Sequence, residues 1–404
     1  MEEQCQKLER SCQKMIYLDH AATTPVKPPV LEAMLPYFTE YYGNPSSVYK
    51  LAQRNKKTLD DARAVVARHL GAEPKEIFFT SGGTEADNWA IKGIAAALKE
   101  KGNHIITTNI EHHAVLHPCQ HLEKLGFDVT YLEVDGDGLV TPEQVEQAIR
   151  AETILISIMY ANNEIGTIMP IAEIGTVARA HGVVFHTDAV QAVGHLPIDV
   201  KAENIDLLSL SGHKFYGPKG IGALYVRRGV KLPSFLHGGG QERGKRPGTE
   251  NVPGIVGLAT AIDLAYQDLA VKTARIKTLR DYLIDRIFER IPYCRLNGHR
   301  HQRLANNVNF SFDFVEGESL LLLLDIEGIA ASSGSACTSG SLDPSHVLLA
   351  LGLPHEQAHG SIRFTLGEDN TQAELDLVLD KLPVFVERMR SMSPLYEDFV
   401  QKNS

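Results

Sequence analysis

The chain is short of the features that cross-link, anchor or charge a protein in a special way. Its five cysteines (Cys5, Cys12, Cys119, Cys294 and Cys337) form an odd, scattered set without a CxxC pair, which excludes a disulfide framework and a cysteine-based zinc site. No apolar run approaches the ~18 residues of a membrane span. Positive charge is in deficit, with 40 Lys and Arg against 50 Asp and Glu and a formal net charge of -10. That balance argues against a body built for stable nucleic-acid binding and leaves room only for brief contact with tRNA. The start, Met1-Glu-Glu-Gln-Cys-Gln-Lys-Leu-Glu-Arg, has neither the apolar core of a signal peptide nor the Arg-rich, acid-poor character of an organellar presequence, so the cytoplasm is the expected compartment. GxGxxG is missing too. Gly212 to Gly217 has the glycine spacing of a P-loop, but Pro218 stands where the Lys belongs and Lys219 where the Ser/Thr belongs, so triphosphate binding is rejected.

What is present is an ordinary globular composition, 43% hydrophobic and 22% charged over 404 residues, enough for roughly two or three domains. From about Glu76, short apolar runs alternate with helical patterns. Ile77-Phe-Phe-Thr, Ile105-Ile-Thr-Thr, Val129-Thr-Tyr-Leu, Ile154-Leu-Ile-Ser-Ile-Met, Val183-Val-Phe-His and Leu207-Leu-Ser-Leu read as strands. Amphipathic stretches at Ala86 to Lys101, His113 to Leu125 and Ile171 to His181 lie between them. This alternation predicts an α/β protein with a mainly parallel sheet, whose ligands bind beyond the carboxyl ends of the strands. After Val256 the pattern changes to a long helical segment running toward Arg290, then Asn307-Val-Asn-Phe-Ser-Phe, a helix around Leu320 to Leu324, Ile362-Arg-Phe-Thr-Leu and a helix near Ala373 to Arg390. These elements predict a smaller α+β unit. The expected division is an N-terminal extension at 1–15, a large unit at 16–260 and a small unit at 261–404, with the first ~15 residues of the large unit able to pack on the small one.

Several residues that carry chemistry stand at predicted strand ends. Lys214 follows the apolar run Leu207-Leu-Ser-Leu-Ser-Gly-His. It is either a surface loop lysine or an amine held at a cleft floor, where partial neutrality suits a Schiff base with an aldehyde cofactor. Asp188 ends a strand, where a buried acid needs a partner; it either caps the next helix or holds a protonated heterocyclic nitrogen. Thr80-Ser-Gly-Gly-Thr-Glu-Ala-Asp follows a strand and opens a helix, as an ordinary cap or as a phosphate seat. His113 and His117 share a helix face, but their run, Glu111-His-His-Ala-Val-Leu-His117, is not HExxH and no cysteine cluster accompanies it, so a metal site is not expected there. His112, at the strand–helix junction, suits stacking on a flat ring or proton transfer. Cys337 sits among small residues in Ser332-Ser-Gly-Ser-Ala-Cys-Thr-Ser-Gly-Ser, as an incidental loop thiol or as one able to reach a substrate and leave with what it took. Arg363, on a predicted strand, is the natural fork for a carboxylate.

Together with Tyr17-Leu-Asp-His-Ala-Ala-Thr-Thr-Pro, Gly43-Asn-Pro-Ser-Ser, Asn162-Asn-Glu-Ile-Gly and Gly238-Gly-Gly-Gln-Glu-Arg-Gly, these runs resemble the pyridoxal-phosphate-dependent cysteine desulfurases of the NifS/IscS group, from about Ile16 to Glu397. The resemblance implies a fold-type I transferase with Lys214 bonded to pyridoxal phosphate, Asp188 on the ring nitrogen and His112 stacked on the ring. It further implies Asn163 and Gln191 at the phenolic oxygen, and Gly83, Thr84, Ser211 and His213 at the phosphate. Thr249 would reach that phosphate from the other subunit of a homodimer. L-cysteine would be held through its carboxylate by Arg363 and Asn44, Lys214 would move the α-proton with His112 in support, and the Cys337 thiolate would take the sulfur as a persulfide while alanine leaves. The implied acceptor is an iron–sulfur scaffold or a tRNA-thiolation enzyme. Two other readings compete: another fold-type I enzyme (an aminotransferase, or a β-lyase on selenocysteine or kynurenine), which needs no Cys337, and a low-turnover sulfur-carrier scaffold. Against the group's usual pattern, Val48-Tyr49 replaces a histidine, and the tail ending at Ser404 is shorter than the IscS-type tail that docks the scaffold.

Overall fold

The computed structural model describes residues 15–333 and 344–403, so Cys5, Cys12 and Cys337 lie outside the described residues. In chain order the strands are β1 (Ile16–Tyr17), β2 (Ile77–Thr80), β3 (His104–Thr108), β4 (Asp128–Leu132), β5 (Thr153–Ser157), β6 (Val184–Asp188), β7 (Leu207–Ser211), β8 (Gly222–Val226), β9 (Cys294–Leu296), β10 (Asn307–Phe312), β11 (Ile329–Ala330) and β12 (Ser361–Thr365). Seven of them form one sheet in the order β2-β8-β7-β6-β5-β3-β4. The pairs from β7 to β4 are parallel, while β8 runs antiparallel to both neighbours. The sequence reading does not foresee β8. Its origin is the short connection after Ser211, which is less than the dozen or so residues a parallel crossover needs, so the chain returns in the opposite direction.

Residues alternate between the two faces of this sheet with the period of a strand. Phe79, Ile156, Phe185, Leu208 and Leu210 join one buried cluster with residues of helices Lys50–His69 and Val252–Tyr266. Their neighbours Phe78, Leu155 and Leu207 join another, beneath Trp89 of helix Gly83–Leu98. A third cluster collects β10, β12 and helices Leu269–Arg290 and Gln372–Arg390 around the antiparallel sheet β12-β10-β9.

Two crossings tie these bodies together. Ile16 and Leu18 belong to the third cluster, and β1 pairs in parallel with β11. In the other direction, Val347, Leu348 and Leu351, from the stretch assigned by sequence to the smaller unit, pack into the first cluster. The helical segment expected as one run toward Arg290 is two helices, Val252–Tyr266 and Leu269–Arg290, set at 73°. Asp268 between them takes φ 52°, a left-handed turn that aspartate tolerates better than most residues. No single helix among the described residues is long and apolar enough to cross a membrane.

Candidate active site

At the carboxyl ends of β6 and β7, the strand termini, the turn after β7 and the start of helix Gly83–Leu98 surround a cavity of about 370 Å³. Its lining includes Gly83, Thr84, His112, Asn163, Asp188, Gln191, Ser211, His213, Lys214 and Arg363. Residues assigned to one site from distant parts of the sequence thus face one space. Asn44 and Thr249 are exposed and are not part of this lining; the Asn44 side chain instead accepts the Ser46 N–H at 2.9 Å.

Lys214 is placed by the break after β7. The 3-10 turn Gly212–Lys214 carries the chain away from the sheet, and a Cβ on Gly212 would come within 2.9 Å of Leu258 Cδ1, so glycine permits this close turn. The Lys214 Nζ donates to the carbonyl oxygens of Ala21 at 2.6 Å and Ala22 at 2.9 Å. Asp188 is the last residue of β6 and accepts the Val190 N–H at 2.9 Å. Burial pushes its carboxyl up to about 6, while the Val190 hydrogen bond and the Lys214 charge pull the other way.

Behind Asp188 lies a second acid. Asp87, one turn into the helix, is buried; its Oδ1 has no hydrogen-bond partner and stands 3.5 Å from His186 Nε2. Burial and then the neighbouring Asp188 hold the Asp87 carboxyl well above the usual range. Glu111, also buried, is pushed up to about 8 by its burial. His186 is fixed between Ser157 at 2.9 Å and Ser209 at 3.0 Å, and burial keeps it neutral, down to about 3. Of these three acids only Asp188 has its carboxyl drawn down by the Lys214 charge, so the negative charge of the cluster is favoured on Asp188 over its two buried neighbours.

His112 caps helix His113–Glu123, its Nδ1 accepting the Ala114 N–H at 3.1 Å. A neutral ring bonded this way carries its proton on Nε2. Burial first, then the Lys214 charge, lowers it to about 4. His213 is lowered to about 4 for the same two reasons, and its Nδ1 lies 3.1 Å from Thr23 Oγ1.

The helix Gly83–Leu98 begins without a side-chain cap, which leaves first-turn N–H groups and the positive end of the helix dipole for an anion. Gly83 is needed there: a Cβ would fall 2.6 Å from Val190 Cγ2. Across the cavity, Arg363 rises from β12 almost fully buried. Its Nη1 donates to the Asn163 carbonyl at 3.0 Å and its Nη2 to Asp19 Oδ1 at 2.9 Å.

Sequence reasoning missed part of this wall. Tyr17-Leu-Asp-His-Ala-Ala-Thr-Thr-Pro received no structural role, yet Ala21 and Ala22 line the cavity and the Ala21 carbonyl also accepts from Gln191 Nε2 at 3.0 Å. Asp87 was passed over as well; an acid one turn into a mostly apolar helix was the available signal. The His113 and His117 rings stack at 4.8 Å, and no group of three or more His, Cys, Asp or Glu among the described residues is arranged to hold a metal ion.

Comparison with known proteins agrees with this geometry. The class-V aminotransferase family matches residues 16–378. The chain is 60% identical over 390 residues to the cysteine desulfurase IscS of Clostridium botulinum, covering 96% of this chain and 98% of that protein. It is 60% identical over 382 residues to the cysteine desulfurase IscS of Methanosarcina thermophila, covering 95% and 94%. Among solved structures, a NifS-like protein superposes with a TM-score of 0.87 at 38% identity over 92% of this chain and 99% of that one. SspA in complex with cysteine gives 0.77 at 42% identity over 88% and 100%. The chain belongs to the class-V aminotransferase family and, within it, to the cysteine desulfurases.

Proposed function

We propose that this protein removes sulfur from L-cysteine with the help of pyridoxal phosphate, delivering L-alanine and a persulfide on Cys337. The observation that carries the reading is the convergence of Lys214, Asp188 and an uncapped helix start on one cavity. The residues fit the cofactor: an amine for its aldehyde, an anion for its ring nitrogen, and N–H and hydroxyl groups for its phosphate. Lys214 would hold the aldehyde carbon, Asp188 the ring nitrogen, and Asn163 and Gln191 the phenolic oxygen. Gly83, Thr84, Ser211 and His213 would hold the phosphate, joined by Thr249 of a second protomer, and His112 would lie on the ring. When bound, pyridoxal phosphate supplies a protonated ring that draws electrons away from the substrate Cα.

The remaining work belongs to the side chains. Arg363 binds the substrate carboxylate, with Asn44 as its helper, and so turns the Cα–H bond toward the Lys214 amine. Lys214 takes that proton as general base; its two carbonyl partners mark where the freed amine rests. His112, neutral with its proton on Nε2, supports proton transfer without adding a second positive charge. The Cys337 thiolate, outside the described residues, attacks the substrate sulfur: an S–S bond forms, the C–S bond breaks, and the carbon fragment takes up a proton at Cβ, recovers one at Cα from Lys214 and leaves as alanine. The persulfide then passes to an acceptor protein, an iron–sulfur scaffold or a tRNA-thiolation enzyme.

Mass spectrometry of the cofactor-loaded protein after L-cysteine tests this. One extra sulfur on Cys337 is expected. Its absence, or alanine released at an undiminished rate by Cys337→Ala, overturns the persulfide mechanism and points to a β-lyase.

A further inference from the structure

Asp19, in the N-terminal motif, has no part in the proposed mechanism, yet it is the acid that touches Arg363, its Oδ1 2.9 Å from Nη2. Both partners are anchored through their backbones. Asp19 bridges Thr365, its carbonyl accepts the Tyr17 hydroxyl at 3.1 Å and the Ala22 N–H at 3.1 Å. Arg363 is paired with Asn309 on one side and with Ser332 on the other. The contact therefore joins a strand to a backbone segment bridged to that same strand and is not a chance meeting of flexible side chains. The Arg363 side chain is only 2% exposed and that of Asp19 20%.

A buried guanidinium needs a counter-charge while no ligand is bound, and Asp19 is placed to provide it. The other nearby acid, Glu164, is buried, accepts the Ser345 hydroxyl, and is pushed up to about 7 by its burial. The consequence is electrostatic: an incoming carboxylate that binds the same guanidinium meets a negative charge already there. Losing one hydrogen-bond acceptor would cost little beside removing that like-charge repulsion, because a carboxamide oxygen at position 19 can still accept from Nη2.

We propose that Asp19 is a specificity-determining residue of the substrate site: a resident counter-anion on Arg363 that weakens the hold on every carboxylate ligand and disfavours most those with a second negative charge. It rests on the reading of Arg363 as the carboxylate fork. It also gives a reason for easy release of the amino-acid product, since the fork never lacks a partner.

The test uses the cofactor-loaded protein and two unreactive ligands, L-alanine and L-aspartate, titrated while the visible absorption of the bound cofactor is followed. Asp19→Asn keeps size and acceptor and removes only charge. It is expected to bind L-alanine about tenfold more tightly and L-aspartate tighter by a larger factor. Unchanged or weaker binding of both, in a variant with wild-type cofactor content, overturns the inference; equal gains for the two ligands overturn its selectivity part. Should Asp19→Asn fail to fold, Asp19→Ser is read by the same titration with the same criteria. Arg363→Gln is the control for the underlying reading. If it binds L-alanine as wild type does, Arg363 is not the fork, and that failure is distinct from a failure at Asp19.

Discussion

Asp188 can hold a protonated ring nitrogen only as an anion, and its carboxyl lies near pH 6 because burial raises it. Lowering the pH through that value neutralises it and removes the pairing. Cofactor affinity is therefore expected to fall as the pH drops from 7 to 5, by about tenfold per unit once below the midpoint. Asp188→Asn is expected to bind weakly at every pH and to show no such slope. Equilibrium dialysis of pyridoxal phosphate across the range measures both. At this scale the sequence was informative where a residue's setting is local: Asp188 ends and Lys214 soon follows apolar runs that read as strands and are strands. It was silent where the setting comes from afar. Asp19 meets Arg363 across 344 residues of chain, and nothing near either one announces the other.

The start of helix Gly83–Leu98 is shaped by a neighbour's methyl group. A Cβ at position 83 would lie 2.6 Å from Val190 Cγ2, so Gly83→Ala is expected to push the helix start away from the cavity. Cofactor binding should weaken at least tenfold, and Val190→Ala in the same chain should restore part of the loss, a coupling that a double-mutant cycle of dissociation constants reads directly. The helix itself was legible, since a glycine pair between an apolar strand and an amphipathic run is a local signal. The antiparallel β8 was not: its direction follows from the length of the loop before it. The division of Val252–Tyr266 from Leu269–Arg290 was also missed, because it rests on the backbone angle of Asp268 and not on the apolar pattern, which continues through the break.

For the whole molecule the proposal is a pair of protomers that complete each other's sites. Thr249 is exposed and away from the cavity of its own chain, as suits a residue serving a partner. Lys214→Ala and Thr249→Ala protomers, each poorly active, are expected to regain activity when unfolded and refolded together, because the mixed dimer holds one site with both residues intact. If Thr249 serves its own chain, mixing restores nothing; a desulfurase assay on the refolded mixture decides. The parallel sheet and the smaller α+β layer were both readable from the alternation of patterns. The crossings between them were not, since they depend on pairings such as Ile16 with Ile329.

That pairing has a consequence for the order in which the molecule comes into being. The wall formed by Ala21 and Ala22 is carried on a segment whose strand partners are Ile329, Ala330 and Thr365. A ribosome makes this segment well before its strand partners, which follow all seven strands of the large sheet in the chain. The large sheet can form while the chain is still growing. The Lys214 amine then waits without fixed carbonyl partners until β11 and β12 have been made, so the reactive centre closes after the sheet that carries it, by a segment made before that sheet.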